Sequence, residues 1–156
     1  MSRAAPPASN YIAQKTMEAN RRTDTTPERR LRSALHSRGL RYRKDLRINA
    51  AGRWVRPDVA FTRSRLAVFV DGCFWHRCPI HATKPRSNSD YWRVKFDRNV
   101  ARDRADEAAL AKAGWAIIRI WEHEDPELAA DRVEAELQAI SYGTRASARA
   151  TASPTR

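Results

Sequence analysis

Long apolar runs are missing from this 156-residue chain. No stretch approaches the roughly 20 residues that a membrane span needs, and the N-terminus lacks a signal-peptide core. A cytoplasmic protein with no membrane attachment is therefore expected. Cysteine is scarce as well, with only Cys73 and Cys78 in the chain. One disulfide is the most they could form, and the missing secretion signal and the histidines close by favour a metal over a disulfide or free thiols. Acidic residues are outnumbered, eighteen Asp and Glu against thirty Lys and Arg, which leaves a formal charge of +12. That balance favours a polyanionic partner, and the excess is mostly arginine, whose forked guanidinium suits phosphate. Charge alone leaves open a basic protein that meets nucleic acid only adventitiously.

The densest chemistry lies in Leu66 to His81, LAVFVDGCFWHRCPIH. Leu66 to Val70 has the length and the β-branched, aromatic character of a buried strand, and it stops at Asp71-Gly72. Asp71, Cys73, Phe74, Trp75, His76, Cys78 and His81 then follow within eleven residues. Core packing does not require that mixture, whereas a strand that delivers metal ligands and a base to a site does.

The rest of the chain reads as one domain, since the apolar content suffices for a modest core but not for two. Residues 1–10 read as a disordered lead. Residues 11–24, which include Met17, read as an arm that orders on DNA or as a frayed terminal helix. Thr25-Thr26-Pro27-Glu28 is a helix start with two registers: Thr26 as N-cap with Pro27 first in the helix, or Thr25 and Glu28 as a capping box. The helix runs to about Arg38 with Leu31, Ala34 and Leu35 facing inward, and Glu28 is either its capping acid or a group that reaches the site. Leu40 to Ile48 reads as a strand with one basic face, and Asn49 to Gly52 as a turn. Asp58 opens the strand Val59 to Phe61, and a short hairpin at Thr62 to Arg65 would bring it near Asp71 on the neighbouring antiparallel strand. Taken alone, Asp58 is also an ordinary turn residue after proline.

A long helix is expected from about Ser89 to Ala113, closing at Gly114, with Trp92, Phe96 and Val100 on one face. Asp103 falls on or beside that stripe, so it needs an interior partner or a nearby arginine such as Arg102. Trp115 to Trp121 is the next strand, delivering Glu122 and His123. His123 is either a surface histidine or the donor that completes Cys73, Cys78 and His81 into a four-ligand zinc site. A helix over Pro126 to Ile140 closes the domain at 25–140, and 141–156 reads as a disordered basic tail. The order of elements describes an α/β sandwich around a mixed sheet.

The segments RPDVAF (56–61), VFVDGCFWH (68–76), YWRVKFDRNVARDR (91–104) and GWAIIRIWEH (114–123) resemble the very-short-patch-repair (Vsr-type) DNA mismatch endonucleases, over roughly Lys15 to Ile140. The resemblance implies a restriction-endonuclease-like three-layer sandwich with a structural zinc site. It also implies a magnesium-dependent enzyme that nicks beside the T of T·G mismatches, starting short-patch repair of deaminated 5-methylcytosine. Asp58 would hold magnesium with a strand carbonyl near Val70, His76 would be the general base, and Asp103 and Glu28 would support it. Phe74, Trp75 and Trp92 would wedge between base pairs, with the Met17 arm in the other groove, and Cys73, Cys78, His81 and His123 would hold structural zinc. The family carries histidine where this chain has Asp71, which suggests a second magnesium carboxylate here. Duplex DNA with a T·G mismatch is the implied partner, together with mismatch-repair factors, and the enzyme is expected to be a monomer. Two alternatives stand beside this reading: a restriction-type or structure-specific nuclease without mismatch preference, and a non-catalytic zinc-stabilised DNA-binding module.

Overall fold

The computed structural model describes residues 23–81 and 88–151, with side chains through 144. The lead at 1–10, nearly all of the arm and Met17 lie outside the described residues. Helix α1 spans Thr26–Ser37, and the chain then runs through β1 (Arg43–Lys44), β2 (Ile48–Ala50), β3 (Arg53–Val55), β4 (Val59–Phe61) and β5 (Leu66–Asp71). Helix α2 (Ser89–Lys112), β6 (Ala116–Trp121) and helix α3 (Pro126–Thr151) complete it.

The start of α1 settles into the Thr25 register. Thr25 is the N-cap, its Oγ1 accepts from the Glu28 N–H, and it donates to Glu28 Oε1 at 2.9 Å. Glu28 Oε2 accepts the N–H of Asp24, one residue before the cap, at 2.8 Å, so the return bond of the capping box is shifted by one residue and ties the chain entering the helix. Thr25→Ala should cost about 1 kcal/mol, read as a lower urea midpoint at unchanged slope; an unmoved midpoint would deny the cap its role.

The central sheet has the order β1-β4-β5-β6. β4 and β5 pair antiparallel (Val59 with Val68, Phe61 with Leu66), as the hairpin predicts, while β5 and β6 pair parallel (Leu66 with Ala116, Asp71 with Trp121). The sheet is therefore mixed, and two helical layers cover it. Leu66 and Val68 face α1 and α3, packing with Leu31, Leu35, Ile120, Ala130 and Val133. Ala60 and Ala67 face the other way, toward Leu110 of α2 and a small β2–β3 hairpin. Alternation along β5 puts Asp71 on this second side.

Three expectations are corrected. The strand expected over Leu40 to Ile48 is broken at Asp45, whose φ of 52° is left-handed; β1 joins the central sheet and β2 leaves it to pair with β3. The turn expected at Asn49 to Gly52 shrinks to Ala51-Gly52, both at positive φ, as a tight hairpin requires. The last helix does not stop at Ile140 with disorder from Ser141, but continues to Thr151. Alanines and arginines recur past Gly143, no proline falls between Glu127 and Thr151, and Thr144 Oγ1 donates back to the Ile140 carbonyl at 2.9 Å. No helix among the described residues is long and apolar enough to cross a membrane.

Candidate active site and metal centre

The C-terminal ends of the parallel pair β5 and β6 gather the polar side chains, because the segment after β5 folds back over them. Asp58, at the opening of β4, lies across from the end of β5, and its Oδ2 accepts the Val70 N–H at 2.7 Å. Burial pushes its carboxyl up to about 7; the Val70 bond works against this, while the charges of Glu28, Asp71 and Asp45 add to it. A carboxylate held among other carboxylates favours a cation beside it. Oδ1 has no hydrogen-bond donor among the described residues and is the atom left for an ion.

His76 follows in the turn after β5, where its N–H bonds the Gly72 carbonyl. Its Nδ1 lies 2.6 Å from Asp103 Oδ2 on α2. Burial acts to raise the Asp103 carboxyl, but the His76 hydrogen bond and the charges of Arg119 and Arg102 outweigh it and hold the group below its ordinary value. Arg102, the exposed partner considered for Asp103, is also present at 3.6 Å. Glu28 is buried at the start of α1, with its oxygens occupied by Asp24 and Thr25, yet it is near enough for its charge to act on Asp58.

Asp71 has a different setting from the one expected. Both of its oxygens take Arg119 of β6, Oδ2 from Nε at 2.5 Å and Oδ1 from Nη2 at 2.7 Å. Arg119 was missed by sequence reasoning, although a single charged residue inside WAIIRIW was a usable signal. Glu122 was also passed over; its Oε1 accepts the Cys73 N–H at 2.7 Å and pins the start of the loop.

The loop from Gly72 to His81 holds two further groups. Phe74 is the hub of the first, with ring centroids 5.1 Å from Trp75, 5.3 Å from Trp92 and 5.2 Å from Phe96. Lys95 Nζ stands 4.9 Å from the Trp75 ring and 5.2 Å from that of Trp92. Phe74, Trp75 and Trp92 remain half-buried, and Asn99 Nδ2 donates to the Trp75 carbonyl at 3.3 Å. A Cβ at Gly72 would stand 3.2 Å from Trp75 Cδ1, so that close approach uses the glycine.

The second group is Cys73, Cys78, His81 and His123, whose ligand atoms all lie within 4.8 Å of one another. His123 Nδ1 is 3.1 Å from Cys73 Sγ and 3.7 Å from Cys78 Sγ, and His81 Nδ1 is 3.8 Å from Cys78 Sγ. The cysteines are buried and not joined in a disulfide. Burial pushes the Cys73 thiol up to about 12, with Cys78 and Glu122 adding to the effect. Two sulfurs and two imidazoles converging at these distances form a donor set that could hold one tetrahedral metal ion.

A family profile described as DNA mismatch endonuclease Vsr matches residues 11–81. The chain is 45% identical over 144 residues to the type II nicking enzyme V.NaeI of Lentzea aerocolonigenes, covering 92% of this chain and 87% of that one. It is 41% identical over 143 residues to the type II nicking enzyme V.XorIIP of Xanthomonas oryzae pv. oryzae, covering 88% and 95%. It is also 36% identical over 109 residues to the DNA mismatch endonuclease Vsr of Escherichia coli (strain K12), covering 69% and 67%. Relatedness of this extent, over a mixed α/β fold that brings an acid and a histidine pair to one end of its sheet, makes the chain a member of the Vsr family of DNA endonucleases.

Proposed function

We propose that this endonuclease is magnesium-dependent and nicks one strand beside the T of a T·G mismatch, initiating very short patch repair. The observation that carries the reading is the pairing of Asp58, raised toward neutrality among acids, with a His76–Asp103 couple at the same end of β5. Asp58, through its free Oδ1, is the residue that would hold magnesium; when bound, magnesium supplies charge stabilisation at the scissile phosphate and lowers the pKa of a water. His76 acts as the general base. Its Nδ1–H donates to Asp103, which fixes the ring and leaves the Nε2 lone pair to take a proton from the attacking water. Asp103 stays ionised, so it also favours the imidazolium once the proton has arrived. Glu28 contributes through its charge on Asp58 while it caps α1.

Phe74, Trp75 and Trp92 form the wedge. Unstacking a poorly paired step costs less than unstacking a sound one, by an amount on the order of a few kcal/mol, so an aromatic wedge discriminates without reading base edges. Zinc would be held by Cys73, Cys78, His81 and His123, and with four protein ligands it would fix the loop carrying the wedge rather than take part in chemistry. The site is complete within one chain, in keeping with a monomer that cuts one strand. Met17 is assigned to the arm in the opposite groove on the resemblance alone.

The test is a nicking assay on duplexes that differ only in T·G against T·A, in several flanking contexts. Cleavage of only the mismatched T strand is expected. Equal cleavage of both duplexes would favour the second reading, a nicking enzyme without mismatch preference, which the names of V.NaeI and V.XorIIP keep in view. His76→Ala should lower the rate about 100- to 10,000-fold while leaving DNA affinity in place; a loss below tenfold would remove His76 as the base.

A further inference from the structure

The β2–β3 hairpin has a buried face and an open one. Ile48, Ala50 and Val55 pack toward Leu110 of α2, while alternation turns Arg47, Asn49, Trp54 and Arg56 outward together. Trp54 is 58% exposed, and Arg47 Cζ stands 5.0 Å from its ring centroid. Among the described residues Arg47 has no carboxylate partner, so the indole holds its guanidinium in place without cancelling the charge. Arg56 meets Asp45 only at 3.5 Å, and Asn49 is spent inside the turn, its Oδ1 accepting the Gly52 N–H at 3.1 Å. A tryptophan and two arginines on one open ribbon face make a surface for a polyanion, in a chain that carries +12 overall.

The place of the hairpin in the fold selects the polyanion. Trp54 precedes Asp58 by four residues, a span of at most about 14 Å, or about four base pairs of duplex at roughly 3.4 Å each. Helix α2 supplies the order along the surface. Phe74 meets Trp92, Asn99 donates to the Trp75 carbonyl, Asp103 holds His76, and Asp106 pairs with Arg53 of the hairpin. At roughly 1.5 Å per residue, Asp103 lies about 16 Å along the helix from Trp92, and Asp106 only about 4.5 Å beyond Asp103. The His76–Asp103 couple thus stands between the aromatic cluster and the hairpin. We propose that the outward face of the β2–β3 hairpin is a second DNA contact, which grips the duplex backbone within about four base pairs of the scissile phosphate, on the other side of it from the wedge. Arg47 and Arg56 take phosphate oxygens, and Trp54 is the positioning residue that presents Arg47. Phosphate contacts fix register without reading sequence, so the hairpin anchors the arm of the duplex that the wedge does not hold. The inference rests on the assignment of Asp58 and His76 as the cutting site.

The experiment measures binding of the full chain, with its Cys/His group loaded with zinc, to a T·G duplex by fluorescence anisotropy without magnesium, over a range of salt. The slope of log affinity against log salt should become shallower by about 1 in Arg47→Gln and by about 2 in Arg47→Gln/Arg56→Gln. Trp54→Ala should lose as much slope as Arg47→Gln although it removes no charge, and Trp54→Phe, which keeps a ring under the guanidinium, should retain most of it. Arg63→Gln, in the turn at the far end of β4 from Asp58, makes the same change of charge and should leave the slope as it is. These side chains are exposed, so melting temperatures should hold. The loss in Arg47→Gln should vanish on a duplex cut back to the nick on one arm and persist on a duplex shortened on the other. An unchanged slope in the double variant, or an equal loss in Arg63→Gln, would overturn the contact, and a loss indifferent to which arm is shortened would overturn its place beside the site. Failure of the mismatch reading would show separately, as equal nicking of T·G and T·A duplexes, and would leave these slopes as they are.

Discussion

Asp58→Asn should give a protein that no longer nicks DNA and yet melts at a higher temperature. The carboxyl is pushed to about 7, against 3.8 for an ordinary aspartate, because it is buried beside Glu28, Asp71 and Asp45. The folded chain therefore keeps a proton that the unfolded chain has released between about pH 4 and pH 7. Stability without added magnesium falls as pH rises through that window, and the penalty is complete above about pH 7. Asparagine can still accept the Val70 N–H and carries no charge. The gain at pH 8 should be about 2–4 kcal/mol, or about 5–10 °C in melting temperature. It should shrink toward zero near pH 4. Nicking should fall by at least about 1,000-fold with loss of the ion, since a bound metal supplies several kcal/mol to such a transition state. A variant that melts lower at pH 8 would refute the crowding of charge, and one that still nicks would refute the site. In the unaltered chain, apparent magnesium affinity should rise with pH up to about 7 and then level off, because the ion must displace that proton.

Removal of the Cys/His ion should have the second large effect, and a different one. Cys78 is fully buried and stands close to both histidine ligands. Cys78→Ser should abolish stoichiometric zinc and lower stability by about 4 kcal/mol or more, on the order of 10 °C in melting temperature. The central sheet has its own apolar core, so far-ultraviolet dichroism should persist while tryptophan fluorescence from Trp75 and Trp92 shifts to the red. On the proposed roles, nicking should drop together with mismatch preference, because the loop that carries Phe74 and Trp75 also carries His76. Zinc binding should release protons, since Cys73 is held as a thiol until a cation arrives. A metal-free protein with unchanged fluorescence and nicking would show that the four ligands do not fix the loop.

The parts of the fold readable in the sequence were those written in neighbouring residues. Thr25 and Glu28 are three apart and state their cap; Thr62 to Arg65 is a turn between two apolar runs, and Gly114 at φ +78° marks where α2 has ended. The break at Asp45 was hidden because alternation of apolar and basic residues carries across it, and only pairing with β4 on one side and β3 on the other separates the pieces. The donor set of Cys73, Cys78, His81 and His123 was legible from scarcity, there being few such residues to choose from. The partnership of His76 with Asp103 came through the resemblance, since Asp103 by itself offered only a costly place beside a stripe. Arg119 was overlooked for a physical reason: its meaning depends on Asp71, 48 residues away in the chain, and only the parallel register, which sets Arg119 opposite Phe69 on the face that also carries Asp71, brings the two within reach.

That parallel register also governs when the enzyme becomes dangerous to DNA. To set Leu66 beside Ala116 the chain must close a long loop, a slow event compared with hairpin formation. Asp58 and Asp71 come together early through the local β4–β5 hairpin, but Arg119 and His123 arrive with β6, and Asp103 with the helix before it. A chain emerging from the ribosome, or one partly unfolded by heat, thus holds Asp58, Asp71 and His76 without the Asp103 that orients the histidine or the Arg119 that balances Asp71. Cutting competence requires α2 and β6 in place, so copies that lack either should leave the genome intact.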